Sequence, residues 1–241
     1  MMQIIDDKTQ LDFEAFKCRF PQEAEILKGQ QDQPILLKIY DKQISFMLDG
    51  FSAIKIDIKN SLQQHRNYFY KNSLYKEPLA RAIGLKKGKP KPIVLDATAG
   101  MLGDSLLLYS FGVKQLIVCE RQPIVCAMII NALAQVQVEL DLFIGNAVNY
   151  FAGKPLAVDV IYFDPMYKQI NTKTAPKKEM ATFRSLIGVD EDAEFMAMKL
   201  KTFARERLVI KRSRKAQPLI ANPSHSIHGK STSYDVYLTS H

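Results

Sequence analysis

Four short apolar runs recur between residues 93 and 165: IVLDATAG (93–100), QLIVCE (115–120), LDLFIGN (140–146) and VDVIYFDP (158–165). Runs of this kind, apolar on both faces, are expected to be strands buried on both sides. Helical patterns separate them. Residues 104–111 form one, with Gly112 as its stop. PIVCAMIINALA (123–134) forms another, with Pro123 at the favoured first position. A helical stretch over 175–205 leads to a fifth run, RLVIKR (207–212), and SIHGKSTSYDVYLTS reads as a closing hairpin. Strands alternating with helices predict a parallel sheet covered on both faces, an α/β, Rossmann-like, doubly wound domain over 92–241.

The N-terminal quarter follows another rhythm. In ILLKIYDKQISFMLDGFSAIKIDI (35–58) short apolar runs are separated by the turn dipeptides DK and DG, and Ile54, Ile56 and Ile58 alternate with polar residues. This predicts a small antiparallel meander, preceded by a helix within 11–20, and so a small N-terminal α+β domain over 1–60. Residues 61–91 are expected to form a basic and aromatic helical linker. It contains a helix LYKEPLARAIGL, ending near Gly84, and the breaker-rich KKGKPKP.

The net charge is +8, which favours a polyanionic partner such as nucleic acid. Three cysteines without a CxxC pair argue against a disulfide framework and for a cytoplasmic location. Cys119 and Cys126 read as small core residues. The least polar stretch, Gln122 to Val138, is too interrupted for a membrane span, and the histidines show no metal-binding spacing. Neither a membrane nor a metal partner is expected, and the N-terminus carries no secretory signal pattern.

In an open α/β sheet, ligands bind beyond the carboxyl ends of the strands. Asp96, Glu120, Asn146 and Asp164 each fall at or just past such an end. After the first strand, DATAGMLGDS carries Gly100, Gly103 and Asp104, small residues that let backbone approach a ligand. GxGxxG is absent, and two acids beside the loop disfavour a pyrophosphate. They suit a cationic ligand, S-adenosyl-L-methionine rather than NAD. Glu120 is placed to accept the hydroxyls of a ribose. Asn146 can approach an adenine or simply hold a turn.

Asp164 and Pro165 followed by Tyr167, in DPMY, close the fourth strand. A proline there offers acceptors without a competing N–H. A carboxylate and a backbone carbonyl can together hold both N–H groups of an exocyclic base amine, and a tyrosine ring can stack on the base. Lys168, Lys177 and Lys178 follow this motif, and Lys211, Arg212, Arg214 and Lys215 follow the fifth strand. Both runs suit a phosphate track.

DATAG with Asp104, CER-P (119–123), DPMY, KKEM…F.SLIG (177–188) and VIKR together resemble the bacterial RsmJ family of 16S rRNA (guanine-N2)-methyltransferases, from about His65 onward. The resemblance implies a class I S-adenosylmethionine-dependent fold and methyl transfer to the N2 amine of a guanosine in 16S rRNA, free or within the small ribosomal subunit. Carried over by position, it implies cofactor contacts from Gly103 and Asp104, Glu120 and Arg121, Asn146 and Ala147, and Asp164. The family's loop reads Gly-Leu-Gly-Arg-Asp, where this chain has Gly100, Met101, Leu102, Gly103 and Asp104. The other readings are an amino-methyltransferase acting on DNA adenine or protein glutamine, a non-catalytic RNA-binding protein with a degenerate cofactor site, and an NAD-dependent oxidoreductase.

Overall fold

The computed structural model describes residues 2–6, 9–32, 36–40, 42–47, 53–152, 158–166 and 190–239. Two sheets organise the chain. The larger has seven strands: β5 (Ile93–Asp96), β6 (Gln115–Glu120), β7 (Asp141–Ile144), β8 (Val158–Phe163), β9 (Ala204–Ser213), β10 (His225–His228) and β11 (Thr232–Leu238). Their spatial order is β10-β11-β9-β8-β5-β6-β7. β5 to β9 run parallel, and the β10–β11 hairpin closes the sheet antiparallel against β9. β8 lies directly beside β5, so Asp96 and Asp164 emerge at neighbouring strand ends.

The smaller sheet has the order β2-β1-β3-β4, with β1 (Gln3–Asp6), β2 (Thr9–Leu11), β3 (Leu36–Tyr40) and β4 (Gln43–Met47). Helices α1 (Phe13–Arg19) and α2 (Pro21–Leu27) follow β2. β3 and β4 pair antiparallel with Tyr40 opposite Gln43, and Lys42 between them adopts φ +63°. β1 pairs parallel to β3, a long-range pairing that local patterning does not reveal.

Ile54, Ile56 and Ile58 were expected in a strand, and this is corrected. Ile54 makes a single bridge to Phe46, and Ile58 already opens α3 (Ile58–Lys71), capped by the Asp57 carboxylate on the Asn60 N–H. All three isoleucines are nonetheless buried. The alternation reported burial, while the cap decided the backbone. The expected helix over LYKEPLARAIGL is likewise broken. A 3₁₀ turn covers Leu74–Lys76 and α4 spans Pro78–Ala82, because Glu77 precedes proline and stays extended. Of the helical stretch expected over 175–205, α8 (Ala193–Phe203) is described, and residues 175–189 lie outside the described residues.

α5 (Gly103–Ser110) stops before Gly112, which adopts φ +64°. α6 (Pro123–Leu133) is buried almost all round. It sits between the large sheet and the N-terminal unit, where α2 and β4 pack on it, which is why its sequence lacks a polar face. Asn131 of α6 fastens that contact. Its Oδ1 accepts the Ile44 N–H at 2.7 Å, and its Nδ2 donates to the Lys42 carbonyl at 3.0 Å. One hydrophobic cluster runs from Ile4 and Phe16 through Val125 and Ile129 to Val209, so apolar packing is continuous across residues 60 and 91. Among the described residues, no helix is long and apolar enough to cross a membrane.

Candidate active site

A cavity opens at the carboxyl ends of β5, β6, β7 and β8. Ala97, Gly100, Glu120, Asn146, Asp164 and Met196 are among its lining residues. The loop after β5 forms its floor. Gly100 adopts φ +51° and donates its N–H to Glu120 Oε2 at 2.9 Å. Glu120 Oε1 accepts the N–H groups of Arg121 and Gln122, each at 2.8 Å. Burial pushes the Glu120 carboxyl above its ordinary pKa, and the three backbone donors partly offset that shift. The result is a rigid acceptor facing the cavity.

Asp96 lies beneath this loop, fully buried and not against the cavity. Its Oδ2 accepts from the Ser105 hydroxyl at 2.6 Å and its Oδ1 from the Thr98 N–H at 3.0 Å. Burial raises its pKa to about 7, against the lowering effect of those two bonds. Thr98 Oγ1 in turn accepts the backbone N–H of Asp164 at 2.7 Å. Asp96 thus braces the floor from beneath, and Thr98, which the sequence reading passed over, joins the floor to the DPMY motif. Leu102 occupies the family's second loop glycine position with φ +62°, held there fully buried. Gly103 opens α5, and neither it nor Asp104 lines the cavity.

Asn146 caps α7 (Ala147–Tyr150), its Oδ1 accepting the Val148 N–H at 2.9 Å, and it lines the cavity together with buried Ala147. Asn146 is thus a turn and cap residue that also lines the cavity. Arg121 is clamped by Asp190 and by Asp192, the latter at 2.9 Å. Asp190 also exchanges hydrogen bonds with Met166, whose N–H donates to its Oδ2 at 2.6 Å and whose carbonyl accepts its N–H at 2.9 Å. No local signal marked Asp190. Its distance in sequence from Arg121 and Met166 hid the contact.

Asp164 lines the cavity, with buried Pro165 behind it. Its Oδ2 accepts from Lys211 Nζ at 2.8 Å, and the same ammonium lies 2.6 Å from Asp104 Oδ2. Two basic residues assigned to a phosphate track are thereby corrected. Lys211 bridges two carboxylates. Arg212 is buried in an ion pair with Asp235 at 2.6 Å and donates to the Ala216 carbonyl. Arg214 and Lys215 are exposed. Tyr167, Lys168, Lys177 and Lys178 lie outside the described residues.

The walls combine apolar side chains with Glu120, Asp164, Asp190 and Asp192, and the single arginine among the lining residues is matched to two of these acids. Such a surface suits a cationic ligand better than a pyrophosphate. A family model described as putative SAM-dependent methyltransferase (SAM, S-adenosylmethionine) matches residues 21–239. The ribosomal RNA small subunit methyltransferase J of Thioalkalivibrio sulfidiphilus is 40% identical over 179 residues, 69% of this chain and 69% of its own length. That of Shewanella denitrificans is 35% identical over 235 residues, 92% of this chain and 90% of its own.

The chain belongs to the ribosomal RNA small subunit methyltransferase J family. Like other members it is a SAM-dependent methyltransferase, and SAM is its cofactor. The crystal structure of a SAM-dependent methyltransferase from Neisseria gonorrhoeae agrees with a TM-score of 0.67 at 25% identity, covering 99% of this chain and 96% of that one. The large sheet is therefore a class I methyltransferase sheet. The acidic cavity fits the family's cofactor, whose sulfonium and ammonium are both positive.

Proposed function

We propose that this enzyme methylates the exocyclic N2 amine of a guanosine in the 16S RNA of the small ribosomal subunit. The observation that carries this reading is Asp164. It lines the acidic cavity at the end of β8, its backbone N–H held by Thr98 and its carboxylate by Lys211, and it is followed by a proline that offers a carbonyl but no N–H. The printed names of the relatives, and exposed Arg214 and Lys215 just past the end of β9, support RNA as the substrate.

SAM, when bound, supplies a methyl group on a positively charged sulfur. Glu120 would hold its ribose hydroxyls, while Asn146 and Ala147 would border its adenine. Asp164 and the Pro165 carbonyl would accept the two N–H groups of the base amine. That grip favours a pyramidal nitrogen whose lone pair faces the methyl carbon, so orientation contributes most of the acceleration. The ring of Tyr167 would stack on the extruded base, worth roughly 1–3 kcal/mol. A ribosomal substrate implies action in the cytoplasm.

The test is methyl transfer from labelled SAM by the purified protein to 16S rRNA and to small subunits from cells lacking its gene, followed by mass-spectrometric mapping. One N2-methylguanosine at a single site supports the proposal. Label on adenine, or on ribosomal protein, refutes it.

A further inference from the structure

Lys211 stands where β9 reaches the reacting edge of the sheet, and its partners there come from several elements. Its Nζ lies 2.8 Å from Asp164 Oδ2 and 2.6 Å from Asp104 Oδ2. The Tyr162 hydroxyl donates to that same Asp104 oxygen at 2.5 Å, and Tyr234 of β11 sits 6.5 Å away from Tyr162, ring to ring. Burial works against the lysine's charge, but Asp164 and Asp104 outweigh it and hold its pKa above the ordinary lysine range. An ammonium so engaged is not a proton acceptor, and its charge is already shared between two carboxylates.

We propose that Lys211 is a positioning residue for methyl transfer, orienting the Asp164 carboxylate toward the cavity and balancing it against Asp104. This rests on the reading that Asp164 holds the acceptor amine. In the transfer, the sulfur–methyl bond breaks with its electron pair going to sulfur. The amine lone pair forms the new carbon–nitrogen bond, and the nitrogen turns positive before it passes a proton to the Asp164 carboxylate that holds it and from there to water, leaving the sulfur as a neutral thioether. Two carboxylates and one ammonium leave a fixed charge of −1 next to that nitrogen, oriented before the reaction begins. Without the lysine, two like charges would share one site, which favours protonation of one of the two carboxylates. A protonated Asp164 would be a poorer acceptor for the amine. Among the described residues, the other titratable groups facing this cluster are Tyr162, Tyr234 with Glu77 beyond it and, from the end of β5, buried Asp96, all acids or phenols. Lys211 is the cation among them.

The experiment compares pH profiles of kcat for wild type, Lys211→Met, Lys211→Arg and the double variant Lys211→Met with Asp104→Asn. For Lys211→Met we expect kcat at pH 7 to fall ~10²-fold, with KM for SAM and RNA within about threefold of wild type. Its acid limb should move up by about one pH unit or more, and the double variant should move it back. Superimposable wild-type and Lys211→Met profiles would overturn the proposal. So would a loss carried by KM for RNA with a shallower salt dependence, which would make Lys211 a phosphate contact. Should Lys211→Met fail to bind SAM in calorimetry, Lys211→Arg decides: activity recovered on an unshifted acid limb supports the role, and activity lost with SAM binding intact removes it. If the wild type methylates a different amine, the substrate reading falls, and the same comparison is made on that amine.

Discussion

The backbone N–H of Asp164 donates to Thr98 Oγ1 at 2.7 Å, tying the reacting end of β8 to the loop after β5. Through the Thr98 N–H the tie continues to buried Asp96. The cofactor floor and the amine-binding motif are thus one hydrogen-bonded unit, although 66 residues separate Thr98 from Asp164.

Replacing Thr98 with valine keeps the shape and removes the acceptor. The Asp164 N–H would then lack this partner, at a cost of about 1–3 kcal/mol in unfolding free energy. Displacement of Asp164 should lower kcat by ~10- to 100-fold. Thr98→Ser should restore both. Urea unfolding and steady-state kinetics measure the two effects.

Glu120→Gln replaces a charged acceptor with an amide whose NH2 would face backbone N–H groups. The lost charge-assisted bonds correspond to about 1.5–3 kcal/mol, so calorimetry should show SAM binding weakened by roughly 10- to 100-fold.

Asp96 gives a pH dependence with a defined sign. Its folded carboxyl titrates at about 7, raised chiefly by burial from an ordinary value of 3.8. The folded chain therefore holds this proton more tightly than the unfolded chain. The resulting stabilisation is complete below about pH 4 and is lost as pH rises through about 7. Asp96→Asn cannot titrate. Its unfolding free energy, measured between pH 5 and pH 8, should fall less with rising pH than that of the wild type.

Arg212 and its neighbours should separate cleanly. Arg212→Ala leaves Asp235 buried and unpaired, which should cost about 3–5 kcal/mol of stability. Arg214→Ala and Lys215→Ala should leave stability unchanged, weaken RNA binding, and each reduce the salt slope by about 1. Thermal melts and salt-dependent binding titrations check both halves.

The large sheet was legible because parallel strands buried on both faces leave uninterrupted apolar runs, and the ends of those runs put Glu120, Asn146 and Asp164 around one cavity. Pattern reports burial but not partners. It could not show that Ile54 and Ile56 pack inward from an irregular segment and Ile58 from the first turn of α3, or that β1 pairs with distant β3. Charge is misread for the same reason. In KRSRK, Lys211 and Arg212 look like the exposed residues beside them, yet Asp104, Asp164 and Asp235 draw both inward from other elements. Nor could pattern show that Asp96 is buried and engaged by Thr98 and Ser105 beneath the loop.

The most direct measurement is the single-turnover rate of methyl transfer by Asp164→Ala, with SAM and RNA saturating. If this carboxylate grips the amine, the rate should fall by roughly 10²–10⁴-fold, while SAM affinity and the melting temperature stay close to wild type. A rate within a few-fold of wild type would mean that the amine is held elsewhere.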